Sequence, residues 1–364
     1  MEVKLDYHLD LKKSFSNKKV FITGHTGFKG SWLAFILYKA GADVVGYALE
    51  PSLDKNHYNF LALKNKIKHI SGDVRDLDLL KKSIHEHRPD FVFHLAAQAL
   101  VRYSYQDPLS TYSTNIIGSL NVLESVKSCD SIRSLIYVTS DKCYENLEIE
   151  RGYSENDLLG GRDPYSSSKA CAEILFSSYF RSFLSERNHF AAASVRAGNV
   201  IGGGDWSPDR IIPDCIRAIE SNKPIKIRNP KATRPWQHVL EPLSGYLLLA
   251  SKQYNDSISF NGAWNFGPNQ NEVMSVKEVA ELIIKNIGKG RVVKEESSKN
   301  VHEAQLLQLN CDKAKNKLMW LPKWSSSQAI IATAEWYKGI MESKDPEALT
   351  SKQIFDYFPE LNDD

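Results

Sequence analysis

Cysteine is scarce and unpatterned, with five residues at 129, 143, 171, 215 and 311 and no C-x-x-C among them. An odd, scattered set excludes a disulfide framework and a zinc site, and it fits a reducing cytoplasm. No apolar run is long enough to cross a bilayer. The opening "MEVKLDYHLDLKKSFSNKKV" interrupts its apolar residues with charges, so neither a secretory leader nor a membrane location is expected. Charge of one sign is also missing: 46 Lys and Arg face 44 Asp and Glu, a net of +2 with no block of like charges. That balance gives no broad field for nucleic acid. The histidines show no metal-ligand spacing, and no metal is expected. No repeat or low-complexity stretch is visible.

What is present is alternation. "KVFIT", "DVVGYAL", "KHISGD", "DFVFHLAA", "SLIYVTS" and "FAAASVR" are nearly unbroken apolar runs, and helical patterns separate them. Strands of this kind, interleaved with helices, specify a parallel sheet covered on both faces. Two long helices are predicted, from Pro108 to about Cys129 and from Tyr165 to about Ser185. After Arg196 the texture changes to loops rich in Gly, Pro and Trp, "AGNVIGGGDWSPDR" and "RNPKATRPWQHV", before helical patterns return. The expected division is a first domain of residues 1–197 plus about 237–266, and a smaller one of about 198–236 plus 267–364.

Between the first strand and the first helix, "VFITGHTGFKGSW" sets Gly24, Gly27 and Gly30 in a G-x-x-G-x-x-G spacing. Glycines there permit a tight turn, let backbone amides approach a pyrophosphate, and leave room for helix–strand packing. The helix N-terminus adds a positive dipole for phosphates. The acidic residue expected about 20 positions on is Glu50, just before Pro51. Asp73 in "SGDVRD" is the alternative, as a ligand of the adenine end or as a turn aspartate. The choice between a cofactor with and without a 2′-phosphate stays open here.

"PYSSSKACAE" places Tyr165 and Lys169 on one helix face at i and i+4. An ammonium beside a phenol favours phenolate, lowering a pKa ordinarily near about 10. Ser140, 25 residues before Tyr165 at a strand end, is placed to hydrogen-bond the same substrate hydroxyl. With the glycine turn, these residues form a constellation for hydride transfer at a carbinol carbon. Directly after Ser140 the sequence reads Asp141-Lys142, a charged pair at the end of a buried strand.

"TGHTGFKG", "GDVRD", "HLAAQ", "TNIIGSLNVLE", the Ser–Tyr–Lys set and "RAGNVIGGGDW" resemble the extended short-chain dehydrogenase/reductases, in their nucleotide-sugar-modifying branch, from about Lys18 to about Lys338. The resemblance implies an α/β fold, a Rossmann-like doubly wound parallel sheet with a smaller C-terminal α/β substrate-binding lobe. It further implies NAD as cofactor and a nucleoside-diphosphate sugar as substrate. Among 4,6-dehydratases of that superfamily, Ser-Asp-Lys after the strand, together with "GHTGFKGSWL" and "TRPWQHV", is similar to the members acting on CDP-D-glucose.

That likeness implies oxidation at C4, loss of water across C5 and C6, and return of the hydride to C6. Asp141 is then the acid that protonates the leaving hydroxyl. Lys142 is either the base at C5, acting as neutral amine, or a stabiliser of the developing enolate. Cofactor contacts carried over are Gly24, Thr26, Gly27, Phe28, Lys29, Gly30, Asp73, Val74, Leu95, Ala96, Ala97, Tyr165 and Lys169. Substrate contacts carried over are Gln98, Arg102, Asn199, Arg210, Arg234, Trp236 and His302, with Glu303 beside the last. Trp206 either borders the base or anchors its loop. His94, ending an apolar strand, reads as a core histidine. The resemblance also implies a homodimer, or a tetramer, paired through the two long helices, and a product that feeds the deoxyhexoses of bacterial surface polysaccharide, O-antigen and lipopolysaccharide. A 4-epimerase on the same fold would share Tyr165 and Lys169, and Asp141 favours dehydration over it.

Overall fold

Seven short apolar runs pair into one sheet. They are β1 (Lys19–Thr23), β2 (Asp43–Ala48), β3 (Lys68–Ser71), β4 (Phe91–His94), β5 (Ser134–Val138), β6 (Ala191–Arg196) and β7 (Gly262–Asn265). The computed structural model describes residues 9–149, 151–269, 272–294 and 306–362. The strand order is β7-β6-β5-β4-β1-β2-β3, and every pairing is parallel. Parallel neighbours need crossovers, and the helices that supply them include α1 (Phe28–Lys39), α2 (Leu77–His87), α3 (Ser119–Lys127), α4 (Pro164–Tyr179), α5 (Ile211–Glu220) and α6 (Leu240–Asn255). Past them lie α7 (Val276–Ile287), α8 (Ser326–Met341) and α9 (Pro346–Tyr357).

The inner strands are largely apolar because both faces are covered, whereas the edge strand β3, Lys-His-Ile-Ser, is only partly buried. Val20 and Ile22 of β1 pack into a core with Trp32 and Phe35 of α1 and Leu243 and Leu247 of α6. Phe21, pointing the other way, joins Leu80, Val122 and Phe176 from α2, α3 and α4. Each such fully buried side chain contributes roughly 1.5–3 kcal/mol. The chain between Gln237 and Phe266 returns to the sheet, where α6 packs under it and β7 pairs with β6. A separate apolar cluster joins α5, α7 and α8 around Trp206, Trp236, Trp336 and Tyr337. Ala314, Leu318 and Trp320, with Ile354, Tyr357 and Phe358 at the C-terminal end, pack into the sheet-side core. Those residues come from the stretch that the sequence reading gives to the second lobe.

Two features of this frame position the site. Strands β1 and β4 are adjacent although β2 and β3 separate them in sequence, so the winding reverses there and a crevice opens at their carboxyl ends. The long helix predicted from Pro108 forms in three joined pieces, Pro108–Tyr112, a wide π-helical stretch Ser113–Gly118, and α3. Such stretches recur at functional sites. This one holds the buried Asn115, whose Nδ2 donates to the Gln98 carbonyl at 3.0 Å and to Ser168 Oγ at 2.8 Å. It thereby ties the loop after β4 to α4. No helix among the described residues is long and apolar enough to cross a membrane.

Candidate active site

One cleft of about 2520 Å³ runs along the carboxyl ends of the strands and between the sheet and the α5–α8 cluster. The glycine turn forms one end. Gly24 has φ +78°, and a Cβ on it would stand 2.6 Å from the Ala96 nitrogen. A Cβ on Gly30 would meet the Gly24 carbonyl oxygen at 2.1 Å. Gly27 is the N-cap of α1 and no side chain caps that helix, so its first amides are presented to the cleft. Thr26 Oγ donates to the Leu49 carbonyl at 2.9 Å, closing the turn on the end of β2. Phe28, Leu95, Ala96, Ala97, Asp73 and the buried Val74 line the same wall.

Of the two acids considered for this end, Asp73 faces the cleft and Glu50 does not line it. Glu50 instead accepts from His69 Nε2 at 2.9 Å. Asp73 is gripped by Arg75 through Nε at 3.0 Å and Nη2 at 2.6 Å, which holds its carboxyl below the usual range.

The reactive set gathers at the end of β5. Ser140 caps a single 3₁₀ turn, Asp141–Cys143, so three consecutive residues leave the strand in a fixed order. Ser140 Oγ donates to Asp141 Oδ1 at 2.9 Å and accepts from the Lys142 amide at 3.2 Å. Asp141 is buried against Gly198, where any Cβ would lie 1.8 Å from Oδ2. Only glycine fits there, which binds the carboxylate's position to the loop after β6. Lys142 is partly exposed to the cleft.

Helix α4 starts beside this turn, capped by Asp163 and with Pro164 as its first residue, so Tyr165 and Lys169 stack on consecutive turns. Burial drives the Tyr165 phenol up to about 12, while a hydrogen bond with Ser140 and the charge of Arg210 pull it down. The sequence reading makes Lys169 the group that favours phenolate. In the structure its Nζ donates to the Val138 carbonyl at 3.5 Å, and burial lowers its own pKa to about 8. Lys29, reaching from α1, is lowered to about 7 by burial and then by the neighbouring charges of Lys169 and Arg210. Three cationic side chains and Asp141 therefore converge on one spot.

The far wall carries the residues expected to contact a substrate. Gln98 lines it, although its Nε2 is committed to the Leu100 carbonyl at 3.0 Å and Thr111 at 2.9 Å. Arg102 bonds Asp209 at 3.0 Å, and Arg210 bonds Asp205 at 2.7 Å. Asn199 takes a left-handed φ of +52°. Arg234 and the buried Trp236 complete the wall, Trp236 donating to the Met274 carbonyl at 3.1 Å. Trp206 is buried in the α5–α8 cluster, off the cleft, and anchors its loop. His302 and Glu303 lie outside the described residues. His94 is buried and neutral, lowered to about 3, and bridges Thr23 and Ser119 at 2.7 and 2.8 Å.

Sequence reasoning passed over Arg217, Lys226 and Arg228, which also line the cleft. Isolated cations carry no spacing signal, and only the fold assembles them. Among the described residues no three His, Cys, Asp or Glu side chains are grouped to hold a metal ion.

A family model described as GDP-mannose 4,6 dehydratase matches residues 21–333, which include every cleft residue discussed above. The chain belongs to that family. Within the 4,6-dehydratases it is 43% identical over 350 residues to the CDP-glucose 4,6-dehydratase of Salmonella typhimurium, covering 95% of this chain and 98% of that protein. The dTDP-D-glucose 4,6-dehydratase of Homo sapiens is 27% identical over 341 residues, 88% of this chain and 90% of that protein. Among solved structures, dTDP-glucose 4,6-dehydratase from Bacillus anthracis in complex with NAD aligns with a TM-score of 0.73 at 23% identity, over 90% of this chain and 99% of that one. That likeness establishes the fold.

Proposed function

We propose that this 4,6-dehydratase family member converts CDP-D-glucose to CDP-4-dehydro-6-deoxy-D-glucose and water, with NAD as a cofactor that ends each turnover unchanged. The observation that carries the reading is the Ser140-Asp141-Lys142 turn, set beside Tyr165 and Lys169 in the cleft that begins at the glycine turn. The 43% identity to a CDP-glucose enzyme supports the choice of base.

The residues present fit a dinucleotide. Gly24 and Gly30 leave a cradle that a Cβ would fill, and the uncapped start of α1 offers amides to a diphosphate. Bound there, NAD would supply the hydride acceptor for C4 and the hydride donor for C6, together with a positive charge that favours phenolate at Tyr165. As phenolate, Tyr165 takes the C4 hydroxyl proton; the Ser140 hydrogen bond and the charge of Arg210 favour that form against the burial that raises it. The C4 ketone acidifies the hydrogen on C5. Lys142 removes that proton and returns one to C5 as C6 takes up hydride, or it steadies the enolate while water exchanges the proton. Asp141 donates a proton to the C6 hydroxyl as it departs, because hydroxide alone leaves poorly. Arg234, with Arg102 and Arg210, holds the diphosphate, for which a guanidinium fork is suited. The first domain, 1–197 plus about 237–266, then serves the cofactor, and the remaining stretches serve the nucleotide sugar.

Tyr103, Tyr105, Leu109, Ile117, Ile174 and Phe183 are exposed large apolar residues in or beside the two long helices, Leu109 at 80%. Covering them by a second copy supports a homodimer. The five unpaired cysteines suit a cytoplasmic enzyme, and the product's chemistry suits supply of deoxyhexoses to O-antigen and lipopolysaccharide. Turnover measured across CDP-, dTDP-, UDP- and GDP-glucose tests the reading. The CDP sugar should be dehydrated fastest. Preference for another base would overturn the substrate assignment, and no dehydration of any of the four would overturn the activity.

A further inference from the structure

Behind the reactive turn lies a buried ion pair, neither member of which lines the cleft, with a hydrogen-bond network around it. Glu173 is 2% exposed and Arg196 is 3% exposed, and they pair at 2.7 Å between Oε2 and Nη2. Glu173 sits one turn beyond Lys169 on α4, on the same helix face. Its Oε1 accepts from Thr139, the residue before Ser140, and its Oε2 accepts also from Ser194 of β6 at 2.7 Å. Arg196 Nη1 donates to Tyr144 Oη at 2.7 Å and to the Glu155 carbonyl at 3.1 Å. Tyr144 directly follows the Asp141–Cys143 turn, and its hydroxyl donates to Asn265 of β7 at 2.8 Å.

The network thus grips the reactive turn at both ends, through Thr139 before it and Tyr144 after it. A buried ion pair contributes little net stability once desolvation is counted. A firmly held reactive geometry, by contrast, is worth orders of magnitude in rate. We propose that Glu173 is a positioning residue of the reaction: its carboxylate fixes the ends of β5 and β6 to α4 and so sets where Ser140, Asp141 and Lys142 stand against Tyr165 and Lys169. This rests on the dehydratase reading above.

The carboxylate also acts on Lys169. Around Lys169 stand Glu173 and Tyr165 on its own helix, Asp141 and Cys143 from the 3₁₀ turn, Lys29 from α1, Arg210 at the start of α5 and His94 from β4. Burial raises the Cys143 thiol and the Tyr165 phenol and keeps His94 uncharged, and of the two carboxylates Glu173 is the one that raises the Lys169 pKa.

Steady-state kinetics of Glu173→Gln on the full chain with NAD and CDP-glucose test the proposal. The variant keeps the side-chain shape and loses the charge. The expected result is a kcat lower by roughly ten- to a hundred-fold with KM within about twofold. The alkaline limb of the kcat profile should also move to lower pH by roughly one unit, because Lys169 loses the anion that favours its charged form. A wild-type kcat and an unmoved limb would overturn the proposal. If Glu173→Gln does not fold, the double variant Glu173→Gln/Arg196→Met removes both charges together, and it is expected to fold with the same loss of kcat. A folded double variant with wild-type kcat and limb would equally overturn the role, and failure of both variants to fold would replace it with a purely structural one. A wild-type chain that dehydrates no nucleotide sugar would instead end the reading on which the proposal rests.

Discussion

The two walls of the cleft are built differently. On the sheet side, Ser140, Asp141, Tyr165 and Lys169 are buried and joined to strand ends and to a capped helix. On the opposite side, Arg102 and Asp209 are each about two-fifths exposed, at 41% and 42%, and Asn199 and Asp209 sit in loops at left-handed φ. Chemistry needs atoms held to a fraction of an ångström, and only regular elements with satisfied polar groups provide that. Recognition of a flexible diphosphate sugar can be assembled from partly exposed arginines whose present carboxylate partners, Asp205 and Asp209, a phosphate can replace. The comparison implies that damage on the sheet side lowers kcat and damage on the lobe side raises KM.

Asp141→Asn should have the largest effect, lowering kcat for dehydration about a thousand-fold with KM little changed, since an amide cannot supply the leaving-group proton. A KM rise of similar size would blur the division between the walls. Lys142→Met should cost roughly a hundred-fold in kcat and should stop exchange of the C5 hydrogen with deuterated solvent while oxidation at C4 persists. Normal exchange would remove Lys142 from the C5 step and leave Asp141 as the only member of the pair with a chemical role. Arg234→Ala should raise KM for the nucleotide sugar by about ten-fold, with kcat near wild type. A fall in kcat alone would place Arg234 with the reactive wall.

The smallest effect is the pH dependence. Lys169 has its pKa lowered to about 8, so its charge is present below that pH and lost as pH rises through it. Lys29, lowered to about 7, loses its charge earlier in the same direction. If the reaction uses both cations, kcat should decline on the alkaline side from about 7, and a decline that begins only at about 8 would assign the need to Lys169 alone. A profile flat well beyond that pH would mean that neither charge is needed.

What the sequence discloses follows the same division. The glycine turn, the Tyr165–Lys169 spacing and Ser140-Asp141-Lys142 are local patterns, and a strand end or a helix turn converts them directly into geometry. Five strands of the sheet are legible for the same reason, because burial on both faces writes itself as apolar runs; β3, Lys-His-Ile-Ser, is a partly buried edge strand. The three-piece helix around Asn115 is not legible, since no residue in "STNIIG" marks a widened turn. The partners of Arg102 and Arg210 come from a loop that folds back across the cleft, and no spacing announces them. The protonation of Tyr165 is also a tertiary property. An i, i+4 lysine suggests phenolate, while the burial of Tyr165 and the nearby charge of Asp141 push the phenol up to about 12, and Lys169 turns towards Val138. Gly198 reads as part of a loop motif until Asp141 is seen against it.

The central claim is an internal transfer of hydride from C4 to C6 of one sugar within one cleft. CDP-glucose carrying deuterium at C4 tests it most directly, by mass spectrometry and NMR of the product from a mixture with unlabelled substrate. The account predicts deuterium in the C6 methyl group of the same molecules that carried it at C4. Deuterium lost to solvent, or scrambled between labelled and unlabelled molecules, would contradict it.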